Sequence, residues 1–201
     1  MTDVLAASEE GIARAAQLLA AGEIVAFPTD TVYGVGLAAT HRDRLPALFD
    51  LKHRPPEKLI PILVADLEQV AAAGWDVDAR AHRLGAAFWP GALTLVIGNG
   101  EGATQAFRAP DHPIALELIR LAGPILATSA NRSSEPDTLD ADEVLIAFAT
   151  QQDELAAVLD GGPVPGGVAS TVVDLSVTPA RVLREGPIGR DRLESEIVLS
   201  P

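Results

Sequence analysis

Cysteine is absent from this 201-residue chain, which excludes disulfides and thiolate metal sites. Lysine is nearly absent, since only Lys52 and Lys58 occur. Aromatic residues make up just 4% of the chain, so its 48% hydrophobic share rests largely on alanine and aliphatic side chains. Positive charge is scarce: 15 Lys+Arg face 28 Asp+Glu, for a formal net charge of −13. Such a chain repels phosphates at long range and lacks the basic face of a general nucleic-acid binder. No apolar run approaches the roughly 20 residues of a membrane-crossing helix. The start, Met1-Thr2-Asp3, is acidic where a signal peptide is basic. The histidines, His41, His53, His82 and His112, show no metal-ligand spacing. Together these absences fit a cytoplasmic enzyme of one domain.

The apolar pattern predicts interleaved helices and strands. Ser8 precedes Glu9 and Glu10, and Ile12, Ala15, Ala16 and Leu19 recur at helical spacing before Gly22, which reads as a capped amphipathic helix. Ile24 to Phe27 is a short apolar run ended by Pro28, as in a buried strand. A helix is expected from about Asp43 into Lys52, then a strand over Leu59 to Val64 that Pro61 demotes or places on an edge. Helices are expected over Asp66 to Ala73, Asp78 to Phe88, and from a cap at Asp111 with Pro113 in the first turn. Another is expected over Asp140 to Phe148. Strands are expected at Leu93–Ile97, Ala106–Ala109, Pro124–Ala127, Thr171–Leu175 and Arg181–Arg184. No repeat and no linker divides the chain, so one mixed sheet with helices packed on it is predicted.

What positive charge there is gathers in one place. Lys52-His53-Arg54-Pro55-Pro56-Glu57-Lys58 puts three cations on a proline-stiffened segment, able either to surround a triphosphate or simply to be solvated. Polar clusters also end several apolar runs: Thr29-Asp30-Thr31 after the first strand, Arg108 after Phe107, and Ser129-Ala130-Asn131 after Ala127. Arg108 suits a carboxylate clamp or a surface ion pair, and the hydroxyl clusters suit a small polar ligand or ordinary turns. The Gly161 to Thr171 loop carries neither a Walker nor a Rossmann fingerprint.

The ordered set is more specific than its parts. It comprises Pro28-Thr29-Asp30-Thr31-Val32-Tyr33-Gly34, Lys52-x-Arg54-Pro55, Trp89-Pro90-Gly91-Ala92-Leu93-Thr94 and Arg108-x-Pro110-Asp111-His112-Pro113. Ser129-Ala130-Asn131, Asp160-Gly161-Gly162, Ser170-Thr171-Val172-Val173 and Leu183-Arg184-x-Gly186 complete it. The set resembles the YrdC-like family, the L-threonylcarbamoyladenylate synthases, across about residues 10 to 190 of the chain. The resemblance implies a twisted mixed sheet flanked by helices around a deep concave cavity. It also implies a reaction: ATP, L-threonine and bicarbonate (or CO2) give threonylcarbamoyl-AMP and pyrophosphate. The product serves threonylcarbamoyladenosine formation in tRNA and passes to a separate tRNA threonylcarbamoyl transferase complex, so strong direct tRNA binding is not expected. By the same resemblance, Lys52, Arg54, Ser129 and Asn131 form a catalytic constellation. Arg54, Lys58, Asn131 and Arg184 match nucleotide-side positions, and Thr31, Arg108, Ser129 and Ser170 match positions near threonine. Mg2+ is expected with ATP, held mainly by phosphate oxygens and water.

The chain departs from the family pattern at several points. Asn131 is followed by Arg132-Ser133-Ser134 where the family commonly reads x-Ser-Gly. Proline follows Lys58 later than in the usual Lys-Pro-Leu, and Leu63 stands near where some members have histidine. The stretch from Gly98 to Thr104 is shorter than usual. The extra C-terminal domain of longer members is absent, so the short single-domain form, 1–201, is expected. Two other functions stay open here: a paralogue making a different carbamoyl-adenylate, as in hydrogenase maturation or antibiotic carbamoylation, and a non-catalytic RNA-binding protein.

Overall fold

Strand side chains in the centre of this chain alternate between two apolar layers, and that alternation dictates a sheet covered on both faces. The computed structural model describes residues 2–53, 60–151 and 154–200. Its strands are β1 (Asp3–Ala6), β2 (Ile24–Phe27), β3 (Gly34–Ala38), β4 (Ile62–Leu63), β5 (Leu93–Gly98), β6 (Thr104–Arg108), β7 (Ile125–Ser129), β8 (Leu155–Asp160), β9 (Thr171–Asp174) and β10 (Arg181–Arg184). Its helices are α1 (Glu9–Ala20), α2 (Leu45–Lys52), α3 (Leu67–Ala72), α4 (Ala79–Phe88), α5 (Pro113–Ala122), α6 (Ala141–Ala147) and α7 (Arg190–Glu194). The strands form one mixed sheet in the order β1-β8-β2-β3-β7-β4-β6-β5-β9-β10.

On one face Val25, Phe27, Ile125 and Ala127 pack under α1 and α5, through Ile12, Leu19, Leu118 and Ile119. On the other face Ile24, Ala26, Val35 and Leu126 pack with Leu48 and Leu51 of α2, Leu84 and Phe88 of α4, and Val144 of α6. Each such aliphatic or aromatic side chain, fully buried, contributes roughly 1.5–3 kcal/mol. The helix starts follow from short polar caps. Ser8 accepts from the Gly11 amide, Asp66 from Gln69, Asp78 from Arg80 and Ala81, and Asp140 from Glu143.

Several expectations change. The strand at Leu59–Val64 shrinks to the two residues of β4, and it lies inside the sheet between β7 and β6 rather than on an edge. Pro61 just precedes it, so the missing N–H costs no ladder bond, while the Pro61 carbonyl accepts from Ala127 at 3.1 Å. Asp111 does not cap α5. The cap position is His112, with Pro113 opening the helix and no side-chain capping bond. Strands β1, β3 and β8 and helix α7 were not anticipated. The β1 side chains are mostly exposed, and four of the six residues of β8, Leu-Ala-Ala-Val-Leu-Asp, are the helix-favouring leucine and alanine.

Candidate active site

The loop after β2 is held by its own hydroxyls. Thr29 Oγ1 donates to the Val32 carbonyl at 2.7 Å and accepts from the Thr31 amide at 3.3 Å. This local turn faces Thr31 into a cavity of about 400 Å³ that is also lined by Arg108, Ser129, Asp137, Ser170 and Arg184. The cavity therefore collects side chains from the ends of β6, β7 and β10, from the loop after β2, and from the residue before β9. A larger groove of about 830 Å³ between α3 and α4, lined by Leu67, Trp75 and Trp89, holds none of the expected site residues.

Tyr33 fixes one wall. It is fully buried, its amide donates to Thr138 and its carbonyl accepts from Ala130. Its hydroxyl donates to the Gly162 carbonyl at 2.8 Å and accepts from the Gly161 amide at 3.2 Å. Burial above all holds the phenol above its ordinary range. The Gly161 hydrogen bond opposes this, and Asp160 and Asp140 add to it. The hydroxyl thus stays a neutral donor that ties the residue just before β3 to the loop running toward Ser170.

The Lys-x-Arg and Ser-x-Asn segments meet through Lys52. This last residue of α2 is only 2% exposed. Its ammonium donates to the main-chain carbonyls of Ser129 and Asn131, and its own carbonyl accepts from Ser133 at 2.9 Å. A buried ammonium needs such acceptors. The Ser129 hydroxyl donates to Asn131 Oδ1 at 2.6 Å, and Asn131 Nδ2 donates to the Glu135 carbonyl at 2.6 Å. Ser129 lines the cavity, whereas Asn131 and Lys52 stand behind its wall and shape the loop. Arg54 and Lys58 lie outside the described residues.

Arg184 and Ser170 form the opposite wall. Arg184 Nε donates to the Ser170 carbonyl at 3.0 Å and Nη2 to its hydroxyl at 3.2 Å. The same hydroxyl lies 2.8 Å from Thr94 Oγ1 on β5. Gly186 allows this close approach, because a Cβ there would stand 2.4 Å from the Thr171 nitrogen and 2.5 Å from the Ala169 oxygen. Arg108 is anchored by Nε to the Gly91 carbonyl at 3.0 Å, and by Nη2 to both oxygens of Asp30 at 2.7 and 2.6 Å.

Sequence reasoning gave no role to Asp30, Thr94 or Asp137. Asp30 and Thr94 sit inside quoted motifs, so their position was visible although their partners were not. Asp137 left no signal. Two guanidiniums, Arg108 and Arg184, line the cavity and can offer charged donors to anionic groups, with the Asp137 carboxylate in the same lining and Asp30 paired to Arg108. The hydroxyls beside them add neutral donors and acceptors.

The family model for Sua5/YciO/YrdC proteins, described as telomere recombination, matches residues 17–186. A Bacillus subtilis protein named threonylcarbamoyl-AMP synthase is 38% identical over 98% of this chain, and the match covers 59% of that protein. A Mycobacterium tuberculosis relative is 37% identical over 91% of the chain, with 87% of its own length covered. The solved structure of Pyrococcus abyssi Sua5 complexed with L-threonine superposes over 100% of the chain and 63% of its own, with a TM-score of 0.86 and 35% identity. The chain thus spans about three fifths of the Bacillus and Pyrococcus proteins.

Proposed function

The chain belongs to the Sua5/YciO/YrdC family, and from that premise we propose that it is an L-threonylcarbamoyladenylate synthase. The observation that carries this reading is the shared cavity: Thr31, Arg108, Ser129, Ser170 and Arg184, far apart in sequence, line one hollow. The naming of the Bacillus relative and the threonine complex of the Pyrococcus relative supply the substrate.

In the proposed reaction the amine of threonine adds to CO2 and loses a proton, giving a carbamate. A carbamate oxygen attacks the α-phosphorus of ATP, and pyrophosphate leaves with the cleaved P–O electron pair. Both steps crowd negative charge, so the protein contributes positioning and electrostatic stabilisation. Arg108 holds the threonine carboxylate. Thr31 and Ser129 offer hydroxyls to the amino acid, and Ser170 fixes the Arg184 guanidinium that faces the nucleotide. Arg54 and Lys58 take the triphosphate. Lys52 acts through the Ser129–Asn131 loop it holds. Among the described residues no group of three or more His, Asp or Glu side chains is gathered for a metal ion. Bound with ATP, Mg2+ would be held mainly by phosphate oxygens and water and would offset charge on the triphosphate. The product passes to a tRNA threonylcarbamoyl transferase complex in the cytoplasm. No helix among the described residues is long and apolar enough to cross a membrane.

The test incubates pure protein with ATP, Mg2+, bicarbonate and threonine, serine or glycine in turn, and measures pyrophosphate. Release that depends on both threonine and bicarbonate is expected. Release indifferent to either would overturn the proposal.

A further inference from the structure

We infer that Asp30 is a positioning residue that aims the Arg108 guanidinium at the substrate carboxylate, an inference that rests on the threonine-binding reading of the cavity. A guanidinium presents five N–H donors in one rigid plane. Two of its nitrogens are committed away from a ligand. Arg108 Nε donates to the Gly91 carbonyl at 3.0 Å, and Nη2 lies 2.7 and 2.6 Å from the two Asp30 oxygens. These anchors come from different chain segments, so they fix both the tilt and the rotation of the plane. Among the described residues Nη1 has no hydrogen-bond partner, and Arg108 lines the cavity, which leaves those donors for a ligand.

Burial sharpens the geometry. The Arg108 and Asp30 side chains are 13% and 14% exposed, so solvent screens the pair only weakly. Thr29 and Thr31 on either side of Asp30 line the cavity, but Asp30 does not. The carboxylate therefore stands behind the guanidinium rather than in the hollow, and does not itself compete for the substrate ammonium. The neighbouring His112 has a buried Nδ1 with no hydrogen-bond partner. It offers Asp30 no competing bond from that atom, and the aspartate remains directed at Arg108.

A plain strut between the loop after β2 and strand β6 would have the same geometry but different consequences, and binding separates the two. Equilibrium dialysis with labelled L-threonine is done on wild type, Asp30→Asn, Arg108→Gln and the double variant, with thermal unfolding of each. The double variant removes both buried charges together and so keeps the set testable if a single variant folds poorly. Steady-state KM values for threonine and ATP are measured alongside. Asp30→Asn is expected to weaken threonine binding about tenfold or more while the KM for ATP moves less than about twofold. In the Arg108→Gln background the same substitution is expected to add less than about twofold, because Asp30 acts through Arg108. Wild type that binds no threonine defeats the reading of the cavity itself. Wild type that binds, with Asp30→Asn binding equally well or weakening threonine and ATP alike, overturns the inference. Full additivity in the double variant overturns it as well.

Discussion

Lys52 and Asn131 are joined through two oxygens: the ammonium that ends α2 donates to the Asn131 carbonyl and approaches its side-chain oxygen at 3.5 Å. With a further bond to the Ser129 carbonyl, this buried cation organises the loop that follows β7. Replacing Lys52 by methionine keeps the apolar stem and removes the donor. Loss of about 1–3 kcal/mol of stability is expected, since buried acceptors are left unmet, together with loss of activity. Urea unfolding measures it. A lysine engaged only with phosphate would leave the unfolding midpoint where it was.

Tyr33→Phe removes one hydroxyl and leaves two main-chain groups, the Gly161 amide and the Gly162 carbonyl, short of a partner. The expected cost is roughly 1–2 kcal/mol. Amide exchange should quicken from Gly161 to Ser170 more than in β2 or β7. Uniform acceleration across the sheet would argue that the hydroxyl does not act on this loop.

Ser134 has a φ of 71°, in the left-handed region that L side chains avoid. Ser134→Gly is expected to stabilise the protein by about 0.5–1 kcal/mol, the relief of backbone strain outweighing the added freedom of the unfolded chain. Thermal unfolding decides it: a lower midpoint would mean that the serine is favoured here by contacts.

Acid sensitivity should come in part from Asp78, the cap of α4. Burial alone would raise its pKa, but hydrogen bonds from the Ala81 amide and from Arg80 outweigh it and hold the carboxyl below its ordinary value. A folded-state pKa that is lowered means stability fully present above the unfolded value, about 3.9, and lost as pH falls through the folded one. Asp78→Asn keeps an acceptor for the cap and should flatten the fall in unfolding midpoint on that acid limb. His112 acts in the same sense at higher pH. Burial chiefly lowers its pKa, against the pull of Asp30 and Asp111, so its contribution is complete above about 6.5 and declines below.

Much of the fold was legible where local signals agreed. Ser8, Asp66, Asp78 and Asp140 each stand before an apolar period of helical spacing, and each caps a helix. Strand β8 was not legible, because Leu155 to Asp160 carries helix-favouring residues and becomes a strand only through its neighbours β1 and β2. Tertiary pairing overrides propensity there. In the site, residue types at strand ends marked Thr31, Arg108 and Ser129, whereas Ser170 and Arg184 were picked out only by the resemblance to the family. Direction could not be read: nothing in Lys52-x-Arg54 says that the lysine turns inward to main-chain carbonyls, and nothing in Asp30 says that it meets a side chain 78 positions away.

The pairing of β1 with β8 carries a consequence for how the chain reaches its structure. Among the described residues Asp3 to Ala6 has one sheet neighbour, and it spans Ala157 to Asp160. On a ribosome this strand must therefore wait until Asp160 has emerged. The β2 edge that β8 later covers stays open through the same interval, exposing unpaired amides and carbonyls. Such late, long-range closure predicts slow folding and a window of vulnerability to aggregation during synthesis.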